Sequence, residues 1–205
     1  MRRVGLIVCL VFGGMMNSAV VSAENLVLQF FGTGAANVLT DEAEDRVWDL
    51  VDANNIDLSE FNCFEVEIRN PNTGNNIGIG VDCLRIDDIE ENADYIELSA
   101  HSFFLMSGNN SFVSSGTTTV RAFRPGVGQG DRGDGQGPIS HMTGSLPDDN
   151  NVAGGTGRFA NVPGMVRLSG AVDLSDFDND NIFFNCIFIA HLEPKENTRG
   201  PRGRQ

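Results

Sequence analysis

From Asn25 onward the chain is a succession of short runs rich in Val, Ile, Leu, Phe and Thr, each broken by Gly, Asn, Asp or Pro. β-Branched and aromatic side chains suit a pleated strand, and the breakers supply the backbone angles of tight turns. Helical stretches do not alternate with these runs, so the pattern fits an antiparallel barrel or sandwich rather than βαβ units. Eight strands are expected, over 25–33, 61–69, 76–87, 94–107, 111–122, 139–146, 163–174 and 182–192. One segment departs from the pattern. Thr40 reads as an N-cap, acids follow it, and Val47, Leu50 and Val51 recur at helical spacing, which predicts a short surface helix within 41–54.

A chain of 205 residues is long enough for one such domain with a sizeable core. Residues 1–23 read as an export signal: Arg2 and Arg3, an apolar run over Val4–Phe12, and a small-residue cleavage site at Val21-Ser22-Ala23. The apolar run is too short to span a bilayer, so the expected product is soluble, without a membrane anchor. Its location is secreted or otherwise extracytoplasmic, periplasmic in a bacterium. The remaining organisation is a first strand, loop and short helix over 24–60, a barrel core over 61–193, and a disordered tail over 194–205. A Gly- and Asp-rich loop spans 124–138. Net charge is −14, which repels phosphate backbones and makes nucleic acid an unsuitable partner.

Three cysteines follow the export signal: Cys63, Cys83 and Cys186. Placing Phe64, Val66 and Ile68 on one face with Ile77, Ile79 and Val81 puts Cys83 on that face and Cys63 on the other. That register argues against a bridge between them unless a bulge intervenes. The final strand is apolar on both sides, with Phe184, Cys186, Phe188 and Ala190 on one and Phe183, Ile187 and Ile189 on the other. Its outer side therefore needs a cover, either a subunit interface or the N-terminal helix.

The most specific stretch is Gly154-Gly155-Thr156-Gly157-Arg158-Phe159, followed by Pro163 and Gly164. A strand, not a helix, follows these glycines, which excludes a phosphate-cradling loop. They read instead as a tight turn at a barrel end, with Arg158 a tether and Phe159 a plug. This stretch resembles the signature of the allene oxide cyclase barrels and the related dirigent proteins. The run Ile77-Gly78-Ile79-Gly80-Val81-Asp82-Cys83 is similar to their cysteine-bearing third strand.

The resemblance implies an eight-stranded, calycin-like antiparallel barrel with a ligand cavity, commonly a homotrimer, working without a cofactor. It places Cys83 at the cavity. The first strand of the cyclases offers a glutamate, whereas Gln29 stands in the corresponding run here and can only hydrogen-bond. Gln29, Glu65 and Cys83 are thus the candidate lumen residues, with no catalytic residue assigned. The expected function is binding of a small apolar molecule in the lumen. The alternatives are a cofactor-free isomerase, cyclase or stereochemical guide, and a solid-cored structural or surface-interaction oligomer. An acid turned into the lumen, Glu65 or Asp82, would favour catalysis. The three histidines lack metal-ligand spacing, and Asp176-x-Asp178-x-Asp180 lacks the twelfth-position glutamate of a calcium loop, so no metal is expected.

Overall fold

The computed structural model describes residues 23–88, 95–122, 140–145, 150–174 and 176–194. Residues 1–22 of the expected export signal, the 124–138 segment and all but the first residue of the expected tail lie outside them. Strands β1 (Glu24–Ala35), β2 (Asn62–Arg69), β3 (Asn76–Asp88), β4 (Ile96–Met106), β5 (Asn110–Ala122), β6 (Ser140–Ser145), β7 (Asn150–Gly155), β8 (Gly164–Asp173) and β9 (Asn181–Leu192) form one antiparallel sheet. Strands adjacent in sequence pair from β1 through β6 and again from β7 through β9, and β9 returns to β1 in unbroken register from Glu24↔Leu192 to Ala35↔Asn181. Closure leaves no open sheet edge along that seam.

The result is a closed eight-stranded barrel with one extra strand, because β6 and β7 share a single slot. Both run antiparallel to β5: β6 pairs with its Thr119–Ala122 end, β7 with its Phe112–Gly116 end. The sequence reading did not anticipate β7. Asn150-Asn151 and Gly154-Gly155 carry turn chemistry, and what holds them extended is pairing with β5, including a hydrogen bond from Asn150 Nδ2 to Thr117 O at 2.7 Å.

Helix α1 (Asp41–Asn54) lies in the β1–β2 connection, with the Thr40 hydroxyl accepting from Ala43 N and Asn55 closing it in the left-handed conformation. Its buried stripe, Ala43, Val47, Leu50 and Val51, packs on the outward side chains Val81, Cys83, Phe103, Leu105 and Val113. Arg46 pins it to the barrel, donating through Nη2 to Met106 O and to Ser111 Oγ, both at 2.7 Å. The molecule therefore has two cores, one inside the barrel and one between barrel and helix.

This second core corrects the expected register. Phe64 pairs with Asp82, Val66 with Gly80 and Ile68 with Gly78, whereas Cys63 stands opposite Cys83 on the outer face, and the two form a disulfide. The apolar side of β3 faces the helix rather than the lumen. The helix also covers only part of the outer surface: on β1 and β9, Val27 and Ile189 remain exposed.

Candidate functional site

The lumen has two unlike halves. At one end, Phe30, Phe104, Phe112, Phe159 and Phe188 fill it, with ring centroids 4.4 to 5.2 Å apart along the chain of contacts from Phe188 to Phe159. Room for them comes from β3, whose Gly78 and Gly80 present no side chain inward. Such rings interlock without gaps, so this half is solid.

The 154–159 stretch closes that end. Thr156 donates from its backbone N to Ser111 O at 2.7 Å and from Oγ1 to Asn109 O at 2.9 Å. Gly157 takes φ +56°, and the Arg158 N–H donates to Asn110 Oδ1. The Arg158 guanidinium reaches Glu24 at 3.3 Å and lies over the Phe159 ring, while Phe159 itself is buried against Phe112. Gly154 lies against the Asn54 side chain, Gly155 against the backbone of Phe159 and Ser111, and Gly164 against His191 O. A Cβ at any of these three would clash with its neighbour.

At the other end the lumen is open as a cavity of about 390 Å³. Leu84, Ile96, Leu98, Val120, Leu168, Val172, Ile182 and Phe184 make most of its wall. Four polar side chains interrupt it: Asp82, Cys186, and the Thr118–Thr143 pair, whose hydroxyls are 3.2 Å apart. Arg85, Glu60 and Asn62 also border it.

Asp82 is the distinctive member. It is 5 % exposed, and Ser102 Oγ donates to its Oδ1 at 2.6 Å. Burial pushes the carboxyl up to about 6, with the Ser102 hydrogen bond pulling against it. Among the described residues no cation contributes. Cys186 shares the cavity wall, and burial, then the Asp82 charge, pushes its thiol up to about 12. That thiol is neutral and unreactive at ordinary pH.

The three candidate lumen residues fall elsewhere. Cys83 is outside the barrel, wholly buried under α1 and bonded to Cys63. Glu65 is also on the outer face, where Oε2 accepts from Thr40 N at 2.6 Å and Oε1 from Thr40 Oγ1 at 3.2 Å, so it clamps the start of α1. Gln29 donates through Nε2 to Asn185 Oδ1 at 2.8 Å on the open outer face of β1 and β9. In each case the parity of the strand sends the side chain away from the lumen. Ser102, Thr118, Thr143 and the position of Cys186 in the wall were not anticipated. The signal available was Gly78-x-Gly80-x-Asp82, a single face carrying two glycines and an acid, which leaves room for large rings on facing strands.

Asp176 is occupied with local structure: its Oδ2 accepts from Asn181 Nδ2 at 2.8 Å, and its other oxygen accepts from Asn179 Nδ2, which holds the turn into β9. Among the described residues no cluster of His, Cys, Asp or Glu could hold a metal ion. A second hollow, about 570 Å³, lies outside the barrel between α1 and the 56–61 segment, and its acids Glu44 and Asp57 are exposed to water.

Fold and site together define a closed up-and-down β-barrel with a half-filled lumen and, among the described residues, a single buried carboxylate in the open half. Compared with protein-family models, curated proteins and solved structures, the chain finds no match.

Proposed function

We propose that this protein is an exported ligand-binding barrel that holds a small, mainly apolar molecule in the open half of its lumen. The observation that carries this reading is the division of the lumen itself. Five phenylalanines make one half solid, while the other keeps a cavity of about 390 Å³ under an aliphatic wall. Aqueous contact with so much apolar surface is unfavourable, and concave apolar sites of this size with a few polar groups suit small ligands. Export is supported by the 1–23 segment and by the Cys63–Cys83 disulfide, a bond that persists in oxidising compartments. The barrel and its Gly154–Phe159 turn support membership of the allene oxide cyclase and dirigent group. Val27 and Ile189, exposed on neighbouring strands, support a homo-oligomer.

Native mass spectrometry of protein purified from the secreted fraction tests this reading. A retained small molecule is expected, and Val120→Trp, which fills the cavity, is expected to release it. Retention by the filled variant would place the molecule outside the lumen and overturn the reading, and a ligand-free wild type in every preparation would point to a structural barrel.

Asp82 favours a second reading. A carboxyl held near 6 is suited to giving or taking a proton, and a cofactor-free isomerase or cyclase needs such a group beside a desolvated substrate. Turnover of the retained molecule by wild type, lost in Asp82→Asn, would distinguish this from binding alone.

A further inference from the structure

Asp82 presents an electrostatic problem that the protein leaves unsolved. A carboxylate at 5 % exposure needs donors or a counter-ion, and one hydrogen bond, from Ser102, is all that the described residues give it. The cavity's other polar groups do not complete the set. Thr118 and Thr143 bond to each other and Thr118 to Gly144 O, and Cys186 directs its Sγ toward Ala171 O at 3.6 Å. Arg85 is held at the rim, 3.4 Å from Glu60 and 4.9 Å over the Phe61 ring.

Resting on the lumen-binding reading, we infer that the cavity selects a small lipophilic amine, whose ammonium group pairs with Asp82 while its hydrocarbon body lies against Leu98, Val120, Leu168 and Val172. An ammonium is a compact ligand group that brings both a positive charge and several donors to a carboxylate. Within a low-dielectric wall that pairing is far stronger than at the surface, provided the hydrogen bonds are made. A neutral molecule of the same shape would fill the cavity equally well and leave the charge of Asp82 unmatched. The net charge of −14 adds to the selection by enriching cations around the protein and repelling anions.

Matched pairs of probes test this directly: cyclohexylmethylamine with cyclohexylmethanol, aminoadamantane with adamantanol, and octylamine with octanol. Each is titrated calorimetrically into the full-length secreted protein at about pH 8, where Asp82 is ionised and the amines keep their protons. For at least one pair the amine is expected to bind roughly tenfold or more tightly than its alcohol. Asp82→Asn is expected to abolish that preference while retaining alcohol binding. Ser102→Ala, which removes the competing donor and leaves the carboxylate in place, is expected to raise the ratio. Equal binding within every pair, or a preference that survives Asp82→Asn, overturns the amine assignment and leaves lumen binding standing. Failure of all six probes to bind overturns the lumen-binding reading and this inference with it. Should Asp82→Asn not fold, a ratio unmoved or lowered by Ser102→Ala overturns the assignment.

Discussion

The ring of Phe30 on β1 lies across Gly80 of β3, so close that a Cβ on Gly80 would come within 2.7 Å of it. The solid half of the lumen depends on this pairing of the largest common core side chain with the absence of one. Gly80→Ala is therefore expected to destabilise the barrel by about 1–3 kcal/mol through overpacking, despite alanine's lower conformational cost. Phe30→Leu in the same chain should recover part of the loss. Urea melts of both single variants and the double variant check this; simple additivity would mean that the two positions do not share one space.

Cys63 and Cys83 close a loop with a sequence separation of 20 between β2 and β3. Restricting the unfolded chain over such a loop contributes about 3 kcal/mol. Cys63→Ala with Cys83→Ala should lower the urea midpoint accordingly, and a reductant should do the same to the wild type but not to the variant. Cys186, 2 % exposed in the lumen wall, should react with a thiol reagent only after unfolding. Rapid labelling of the native protein would contradict its placement.

Every strand but β7, and the helix, were legible because their signals are local. Alternation, turn residues and the Thr40 cap each operate within a few positions, and the eight expected runs became strands. Which way the strands faced was not legible, for a physical reason visible at β3. Equating the apolar face with the interior fails where a helix covers the outside, and here Val81 and Cys83 meet α1 while Gly78, Gly80 and Asp82 line the lumen. One parity error then misplaced Cys83 and separated it from Cys63. Glu65 and Gln29 were misplaced for a related reason, since hydrogen-bonding capacity says nothing about which face a residue occupies. The cavity depends on volumes contributed by seven strands from distant parts of the chain, and no window of sequence carries that information.

Glu65 holds the entry to α1 through both carboxylate oxygens on Thr40. Removing them leaves the Thr40 N–H without that acceptor and frees the loop that positions the helix. Glu65→Ala should cost about 1–2 kcal/mol and speed amide exchange in the first turn of α1. Glu65→Gln, which keeps one acceptor oxygen, should cost less. An exchange pattern unchanged in both variants would show that the clamp does not hold the helix.

Asp82 should impose an inverted pH dependence on stability. Its folded-state carboxyl is raised to about 6 from 3.8, so the folded protein binds this proton more tightly than the unfolded chain does. Below about pH 4 both states are protonated and Asp82 carries no penalty. As pH rises to about 6 the unfolded state ionises first, and folding loses stability, by roughly 3 kcal/mol once both are charged. The groups facing Asp82 do not offset this, since Ser102 is already donating and the Cys186 thiol stays neutral across the range. Asp82→Asn removes the ionisation while keeping the shape, so the variant is expected to gain stability over the wild type at pH 7 and to lose that advantage near pH 4. Urea melts of the pair across this range give the difference directly, with the other carboxylates cancelling. A difference that stayed flat would mean that Asp82 is solvated in the folded protein, and the case for a buried charge awaiting a ligand would fall with it. A difference that closed on acidification would show that the barrel gives up stability to keep an ionisable group in its cavity, as expected of a residue retained for what it binds.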